Sequence, residues 1–214
     1  TMELQSEIEK MIQDCFNNHR KYIDTNNKSF NVFMKDGLIY PKFLAIYCDS
    51  YMKITVKSKN STQIDSDFNN VIALLRCLND KHVFKMEYLK LLQERILNNK
   101  TGNLEAEKQL IGKISNELGN NFVYEFLIIL QDIDNSSQFN ESFKLENHKG
   151  IISGVNFSCK LLSKNAWKID KNKDFKFEIN KYSSKIENCM NKFKDFFLST
   201  NKSKLLQFVI GAVS

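Results

Sequence analysis

Residues 80–143 decide the fold, and they read DKHVFKMEYLKLLQERILNNKTGNLEAEKQLIGKISNELGNNFVYEFLIILQDIDNSSQFNESF. Polar breaks divide this stretch into segments in which apolar residues recur at helical spacing. In the first segment, one face carries residues at intervals of three and four: Val83, Phe84, Tyr88, Leu91, Leu92, Arg95 and Ile96. Residues at these intervals lie on one side of a helix, so we expect this face to pack into a core.

The polar breaks carry the signals of helix ends. Asn103 is a typical N-cap residue, and Glu105 and Glu107 follow it, where negative charge stabilises the first turn of a helix. Gly119 follows the last apolar residue of the same segment, and Gly is the usual residue after a helix C-terminus. The sequence therefore predicts a helix over residues 104–118.

The region before this stretch is also predicted to be helical. Apolar residues at helical spacing predict one long amphipathic helix over residues 4–23, and His19 lies on its apolar stripe. Since no second ligand stands at helical spacing, we interpret His19 as a core or boundary histidine rather than a metal ligand. A short helix over residues 29–35 and a helix that begins near Pro41 are expected next.

Residues 55–66 collect Lys, Ser, Asn and Thr without periodicity, which predicts an exposed loop. Helical spacing returns over residues 68–78 and 121–143. The predicted fold class is therefore mainly α, with a bundle of long antiparallel helices over residues 1–147.

The periodicity changes after residues 147–150. Residues 152–161 favour β-structure, and Phe157, Cys159 and Leu161 alternate with Ser158 and Lys160, which predicts a strand with these three apolar residues on one side.

The remaining residues complete a small, incomplete α/β segment, predicted over 148–214. The lone Trp167 is expected to anchor the strand, residues 179–198 return to helical spacing, and residues 205–213 are a second strand candidate. Two strands around one helix leave unpaired sheet edges, so we expect the chain to be a fragment or a short homologue.

Composition narrows the class of protein. The chain has 214 residues, of which 42% are hydrophobic and 26% charged, with a net charge of +6, values that are typical of a globular domain. No apolar run approaches the roughly 20 residues of a membrane span, and no signal peptide is recognisable. The cysteines, 5 in number, are widely spaced, which favours free buried thiols. We expect a cytoplasmic or nuclear protein with no membrane partner.

The sequence lacks the common signatures of catalysis. It contains no Gly-x-Ser-x-Gly motif, no phosphate-binding glycine loop and no Cys-x-x-Cys pair. The histidines stand in separate segments without ligand spacing: His19, His82 and His148. We therefore expect no intrinsic active site, no metal and no cofactor.

Residues 80–143 resemble the cullin homology region, which begins the C-terminal half of cullin scaffolds. The matching residues follow in one order: Asp80, Lys81, Val83, Phe84, Tyr88, Leu92, Arg95, Ala106, Glu107, Ile111, Lys113, Gly119, Phe122, Asp132, Ile133, Ser136 or Ser137, Asn140 and Phe143. Residues 44–50 resemble the cullin segment before this region, and residues 155–167 and 182–206 the strand and helix after it. The resemblance covers residues 44–211 and is specific, because many spaced identities in one order are hard to obtain by chance.

The resemblance implies that the predicted helices form a four-helix bundle of the cullin type, and that the protein is a non-catalytic scaffold of a cullin-RING E3 ubiquitin ligase. Such a scaffold holds a RING-box subunit, with its ubiquitin-conjugating enzyme, in fixed geometry to a substrate-receptor module. The receptor is expected to bind an N-terminal part that this chain lacks.

In cullins the RING-box subunit adds a strand to the sheet that follows the bundle. By this resemblance, the residues expected around the partner strand are Val155, Phe157, Cys159, Leu161, Leu206, Phe208 and Ile210. The alternative is that they are core residues of a sheet that pairs with itself.

Cullins also carry a basic groove that attracts the acidic tail of some conjugating enzymes. Lys90 and Arg95 match basic family positions and Lys85 lies nearby, but Glu94 stands where the family often has lysine. The alternative is a set of ordinary solvated lysines.

Two further interpretations stay open. One is the cullin-like subunit of the anaphase-promoting complex, although the Tyr-Cys-Asp-Ser segment at residues 47–50 favours an ordinary cullin. The other is an unrelated basic helical adaptor or nucleic-acid-binding module. The dispersed lysines favour a protein that does not bind nucleic acid.

Overall fold

The computed structural model describes residues 2–33, 38–100, 103–146, 151–152, 155–167, 184–201, 204–206 and 208. The elements in order are α1 (Met2–Phe16), α2 (Arg20–Phe33), α3 (Ile39–Lys53), a 3-10 helix (Thr55–Ser58), α4 (Ser61–Cys77), α5 (Lys81–Leu97), α6 (Leu104–Leu118), α7 (Asn120–Glu146), β1 (Ile151–Ile152), β2 (Val155–Asn156) and α8 (Ser184–Thr200). The mainly α fold class predicted from the sequence is confirmed.

The chain divides into two compact units. The first is Thr1–Leu127 and the second is Ile128–Ser214, so residues of α7 belong to both. In the first unit α3 packs against α5, and α4 packs against α1, α2 and α6. The predicted domain boundary at 147–148 stays a prediction, because residues 147–150 lie outside the described residues.

The first unit begins with two helices where the sequence predicted one. Asn17 and Asn18 have φ values of 52° and 55°, which is the left-handed conformation that ends helices and that Asn tolerates better than most residues. The prediction of one helix over residues 4–23 is therefore wrong. The short helix predicted over residues 29–35 is the last part of α2 as far as Phe33.

His19 is exposed and stands at the start of α2, so its placement in a core is also wrong. Its carbonyl oxygen accepts hydrogen bonds from the backbone N–H groups of Tyr22 and Ile23. Its Nδ1 atom accepts a hydrogen bond from the N–H of Lys21, at 3.3 Å. The imidazole therefore helps to satisfy the free N–H groups of the first turn.

The loop predicted over residues 55–66 is instead a 3-10 helix followed by the first turns of α4. Val56 and Ile64 are buried. Asn60 begins α4 with a capping box: its Oδ1 atom accepts from the N–H of Gln63 at 2.9 Å, and the Gln63 side chain accepts from the N–H of Asn60 at 3.2 Å. Asn followed three residues later by Gln is the sequence signal of this motif, and it outweighs the polar composition.

The helices that the sequence placed at the centre are confirmed. Asp80 caps α5 by accepting from the N–H groups of His82 and Val83. Asn103 caps α6, and Gly119 follows the last residue of α6 with a φ of 88°, a conformation that favours glycine. The predicted core face of α5 is buried at Phe84, Tyr88, Leu92, Arg95 and Ile96.

In the described part of the second unit, the β-structure is a short hairpin. Ile151 pairs with Asn156 and Ile152 pairs with Val155 in an antiparallel hairpin. Residues 157–163 are not in a β-ladder, so the strand predicted over residues 152–161 is wrong beyond Asn156.

The last predicted elements fall partly outside the described residues. The helix predicted over residues 179–198 is α8, Ser184–Thr200, and residues 179–183 are not described. Residues 204–206 and 208 are not in a strand, and the rest of the strand predicted over residues 205–213 lies outside the described residues.

The capping box of α4 yields a stability prediction. Asn60→Ala removes the acceptor for the Gln63 N–H and should lower the free energy of unfolding by about 1 kcal/mol. Denaturant unfolding followed by far-UV circular dichroism measures the effect. Ser66→Ala, at an exposed position of the same helix, is the control and should leave the unfolding midpoint nearly unchanged. Equal midpoints for the two variants would show that the cap does not stabilise α4.

Candidate partner-binding site

In the second unit, three polar residues of α7 lie on one face of the helix. Asp132, Ser136 and Asn140 are spaced by four residues, so they stand one turn above another. Each of them binds the backbone of the segment that follows the β1–β2 hairpin. We call these three residues the side-chain ladder.

Asn140 binds both backbone groups of Cys159. Its Nδ2 atom donates to the Cys159 carbonyl oxygen at 2.7 Å, and its Oδ1 atom accepts from the Cys159 N–H at 3.0 Å. A residue of a neighbouring strand in a β-sheet makes the same pair of bonds. The carboxamide of Asn140 therefore takes the place of a strand at this position.

Ser136 binds Leu161, two residues further along the segment. Its Oγ atom accepts from the Leu161 N–H at 2.7 Å and donates to the carbonyl oxygen of Asp132, at 2.6 Å, within α7. The Leu161 carbonyl oxygen lies 3.2 Å from the same Oγ. Ser136 is buried, so these bonds satisfy a hydroxyl group that water does not reach.

Asp132 forms the third rung of the ladder and accepts from several donors. The N–H and the Oγ of Ser163 each donate to its carboxylate at 2.7 Å, and the Nε1 of Trp167 donates at 2.8 Å. Both Asp132 and Trp167 are buried. The predicted role of Trp167 as an anchor therefore has a specific form, a hydrogen bond to α7.

The apolar side chains of the segment pack into a cluster to which α7 and α8 also contribute. Its buried members are Phe143, Cys189, Phe193 and Phe196, and packed against them are Phe139, Phe157, Cys159, Leu161, Leu206 and Phe208. Phe193 is central: its ring centroid lies 5.0 Å from that of Phe143, 5.6 Å from that of Phe157 and 6.5 Å from that of Phe208. These are the separations that aromatic pairs favour.

The structure thus brings together most of the residues predicted around a partner strand. Phe157, Cys159, Leu161, Leu206 and Phe208 meet at this cluster. Val155 lies in β2, and Ile210 lies outside the described residues. The side chains that meet here belong to an apolar cluster of the second unit.

Cys159 behaves as an apolar residue at this site. Burial raises the pKa of its thiol to about 12, so the thiol is neutral near pH 7. All 5 cysteines of the chain are free. A neutral, partly buried thiol of this kind packs as a small hydrophobic group and is a poor nucleophile.

The residues predicted to form a basic groove have different environments in the structure. Arg95 is fully buried, Lys85 pairs with Glu125 at 2.6 Å, and Lys90 is exposed. A groove on the surface requires accessible cations, so the interpretation of Arg95 as a groove residue is wrong. Lys85 and Lys90 stay a prediction.

Arg95 is instead the centre of a buried network in the first unit. Its Nη2 atom donates to Glu107 at 2.6 Å, and its Nη1 atom donates to Asp49. Tyr88 donates its hydroxyl to Glu107 at 2.8 Å. Burial would lower the pKa of Arg95, but its anionic neighbours raise it, so the guanidinium stays charged. The network joins α3, α5 and α6.

Among the described residues, no group of three or more His, Cys, Asp and Glu side chains is arranged to hold a metal ion. Within the same residues no helix is long and apolar enough to cross a bilayer.

Sequence reasoning missed the role of the ladder. Asp132, Ser136 and Asn140 entered the analysis only as matches to a family pattern. The available signal was a spacing of four on a helix, followed by a segment in which apolar residues alternate. Four residues of a helix and two residues of an extended chain have nearly the same length, and this match would have suggested that the helix and the segment lie side by side.

The described residues form eight α-helices, which place the chain in the mainly α class of proteins. The family model described as the Cullin alpha solenoid domain matches residues 1–140. The chain belongs to the cullin family.

Two curated relatives support this assignment. The chain is 25% identical to Cullin-1 of Oryza sativa subsp. japonica over 216 residues, and 23% identical to Cullin-3B of Arabidopsis thaliana over 207 residues. Each match covers 97% of this chain and 28% of the relative. The chain therefore spans little more than a quarter of the length of these relatives.

The Arg95 network predicts a large effect from a small change. Glu107→Gln keeps the shape of the side chain but leaves the buried guanidinium with one anionic partner, so the free energy of unfolding should fall by about 3 kcal/mol or more. Unfolding in urea measures this change in the free energy of unfolding. Glu105→Gln on the same helix alters an exposed pair with Lys108 and should have little effect. Similar midpoints for the two variants would contradict the role assigned to Glu107.

The raised pKa of Cys159 predicts selective alkylation. At pH 8 only about one in ten thousand Cys159 thiols is ionised, and the thiolate is the reactive form. Iodoacetamide should therefore label the exposed Cys15 long before Cys159, as measured by mass spectrometry of peptides. In denaturant the difference should disappear. Equal rates in the folded protein would show that Cys159 is accessible.

Proposed function

We propose that this chain is part of the non-catalytic scaffold of a cullin-RING E3 ubiquitin ligase. Its partners are a RING-box protein, a ubiquitin-conjugating enzyme held through that RING subunit, and a substrate-receptor module that binds elsewhere on the full-length scaffold. Family membership supports this proposal, and the geometry of the second unit suggests how one of the partners binds.

A scaffold of this kind works by stiffness. Holding two partners at a fixed separation raises the effective concentration of one reacting group near the other. The first unit has features that resist deformation, including capped helices and the buried pairs of Arg95 with Asp49 and Glu107. Breaking such a buried pair is costly, so the helices it joins are expected to move together.

The observation that carries the proposal is the way in which the backbone of residues 157–163 binds to α7. The backbone groups of Cys159, Leu161 and Ser163 face α7 and bond to the side-chain ladder. In an extended chain, successive residues direct their N–H and C=O groups to opposite sides. The groups of Ser158 and Leu162 therefore face away from α7, toward the edge where we propose that a RING-box strand adds.

Proline at Ser158 tests this mode of binding. Ser158→Pro removes one N–H donor on the side away from α7 and should weaken binding of a RING-box protein at least tenfold. Ser158→Ala keeps the backbone donor and is the matched control. Co-expression followed by affinity purification and a titration of the purified components measures the effect, and circular dichroism verifies folding of both variants.

The outcomes separate the parts of the proposal. A wild-type chain that does not bind a RING-box protein contradicts the scaffold function proposed here. If Ser158→Pro binds as tightly as Ser158→Ala, strand addition at this edge is wrong.

A further inference from the structure

We infer that the side-chain ladder of α7 is a positioning device that sets the register of residues 157–163, and with it the backbone groups that an added strand meets. The part of this inference that concerns a partner rests on the proposed function. The part that concerns register rests on the contacts of the second unit alone.

The ladder works because two periods nearly match. Four residues of an α-helix, slightly more than one turn, advance about 6 Å along its axis, and two residues of an extended chain advance about 6.6 Å. Residues 140, 136 and 132 therefore meet residues 159, 161 and 163 in turn, with hydrogen bonds of 2.7–3.0 Å between the amide nitrogens of the segment and the side-chain oxygens of α7. The mismatch of about 0.6 Å per rung is small enough for three rungs to hold good geometry.

Contacts of a different kind bound the ladder at each end. Beyond Asn140, the ring of Phe143 packs against that of Phe157, with centroids 6.3 Å apart. Beyond Ser163, the indole of Trp167 bonds to Asp132. The segment is therefore fixed by an aromatic pair at one end and an indole hydrogen bond at the other, so it has little freedom to slide.

The chemistry of the rungs excludes a shift by two residues. The carboxylate of Asp132 can only accept, and it meets the N–H and hydroxyl of Ser163 together with the N–H of Trp167. A two-residue shift would place Leu161 or Asn165 opposite this carboxylate and remove the Ser163 hydroxyl. A buried carboxylate without these donors is strongly destabilising.

The apolar cluster excludes a shift by one residue. A slip of one position exchanges the two faces of an extended segment. It would place Ser158 and Lys160 against the phenylalanine cluster and expose Phe157 and Leu161, which now pack there. The two exclusions together leave one register, so the residues that face away from α7 are also fixed.

Asn140→Leu is the test, because leucine is similar in size and cannot make either bond to Cys159. Asn135→Leu makes the same change at an exposed position of the same helix and is the matched control. Met190→Ala, at a buried position of α8, should destabilise the unit while leaving the three ladder residues unchanged.

Two measurements on the 214-residue chain distinguish a positioning role from a general loss of stability. Hydrogen exchange of the Cys159 and Leu161 amides should accelerate at least tenfold in Asn140→Leu and stay unchanged in Asn135→Leu. Binding of a RING-box protein should weaken at least tenfold in Asn140→Leu, while Met190→Ala, assayed well below its unfolding temperature, should bind nearly as wild type.

Each result has a separate meaning. Unchanged exchange in Asn140→Leu overturns the ladder, whether or not a RING-box protein binds. Faster exchange with unaltered binding overturns its role toward a partner. A wild-type chain that shows slow exchange but does not bind leaves the register inference supported and overturns the proposed function.

Discussion

Four residues of an α-helix and two residues of an extended chain cover nearly the same distance, and the second unit depends on this match. It lets α7 hold a neighbouring segment with side chains where a sheet would use backbone. A helix normally presents no free backbone groups along its length, because they bond within the helix itself. Asp132, Ser136 and Asn140 supply the missing donors and acceptors, so the segment after the hairpin is ordered although it is not part of a β-ladder.

The first unit illustrates a different use of buried polarity. Arg95 has no exposed surface, yet it carries a charge that Asp49 and Glu107 balance. Such an arrangement adds little net stability over an apolar core of the same shape, but its bonds are directional. The guanidinium therefore specifies how α3, α5 and α6 align, which hydrophobic contacts alone would leave less well defined.

The sequence predicted most of the helices because their ends are encoded locally. Asp80, Asn103 and Gly119 stand where caps are needed, and the structure uses them there. Two local signals were misread: the consecutive asparagines that separate α1 from α2, and the Asn60–Gln63 pair that begins α4. The continuous apolar stripe over residues 4–23 hid the first of these helix ends, and the lack of periodicity over residues 55–66 hid the second.

The site was harder to predict because its contacts join residues that are distant in sequence. Alternation in residues 157–161 predicted a strand with one apolar side. The apolar side is present, but the residues are not in a β-ladder, and alternation does not reveal that the neighbour is a helix. Arg95 lay on the predicted core face of α5 and also in the predicted groove. Its partner Asp49 is 46 residues away, so only the folded structure decides between the two.

Trp167 gives the second unit an optical property of its own. It is the single tryptophan of the chain, and its indole is buried with its N–H on the Asp132 carboxylate. Fluorescence excited at the red edge of the protein absorption band therefore arises from residues 128–214 alone, while the helical circular dichroism signal is dominated by the first unit. The wavelength of the emission maximum thus reports whether the indole is still packed against α7, without any added label.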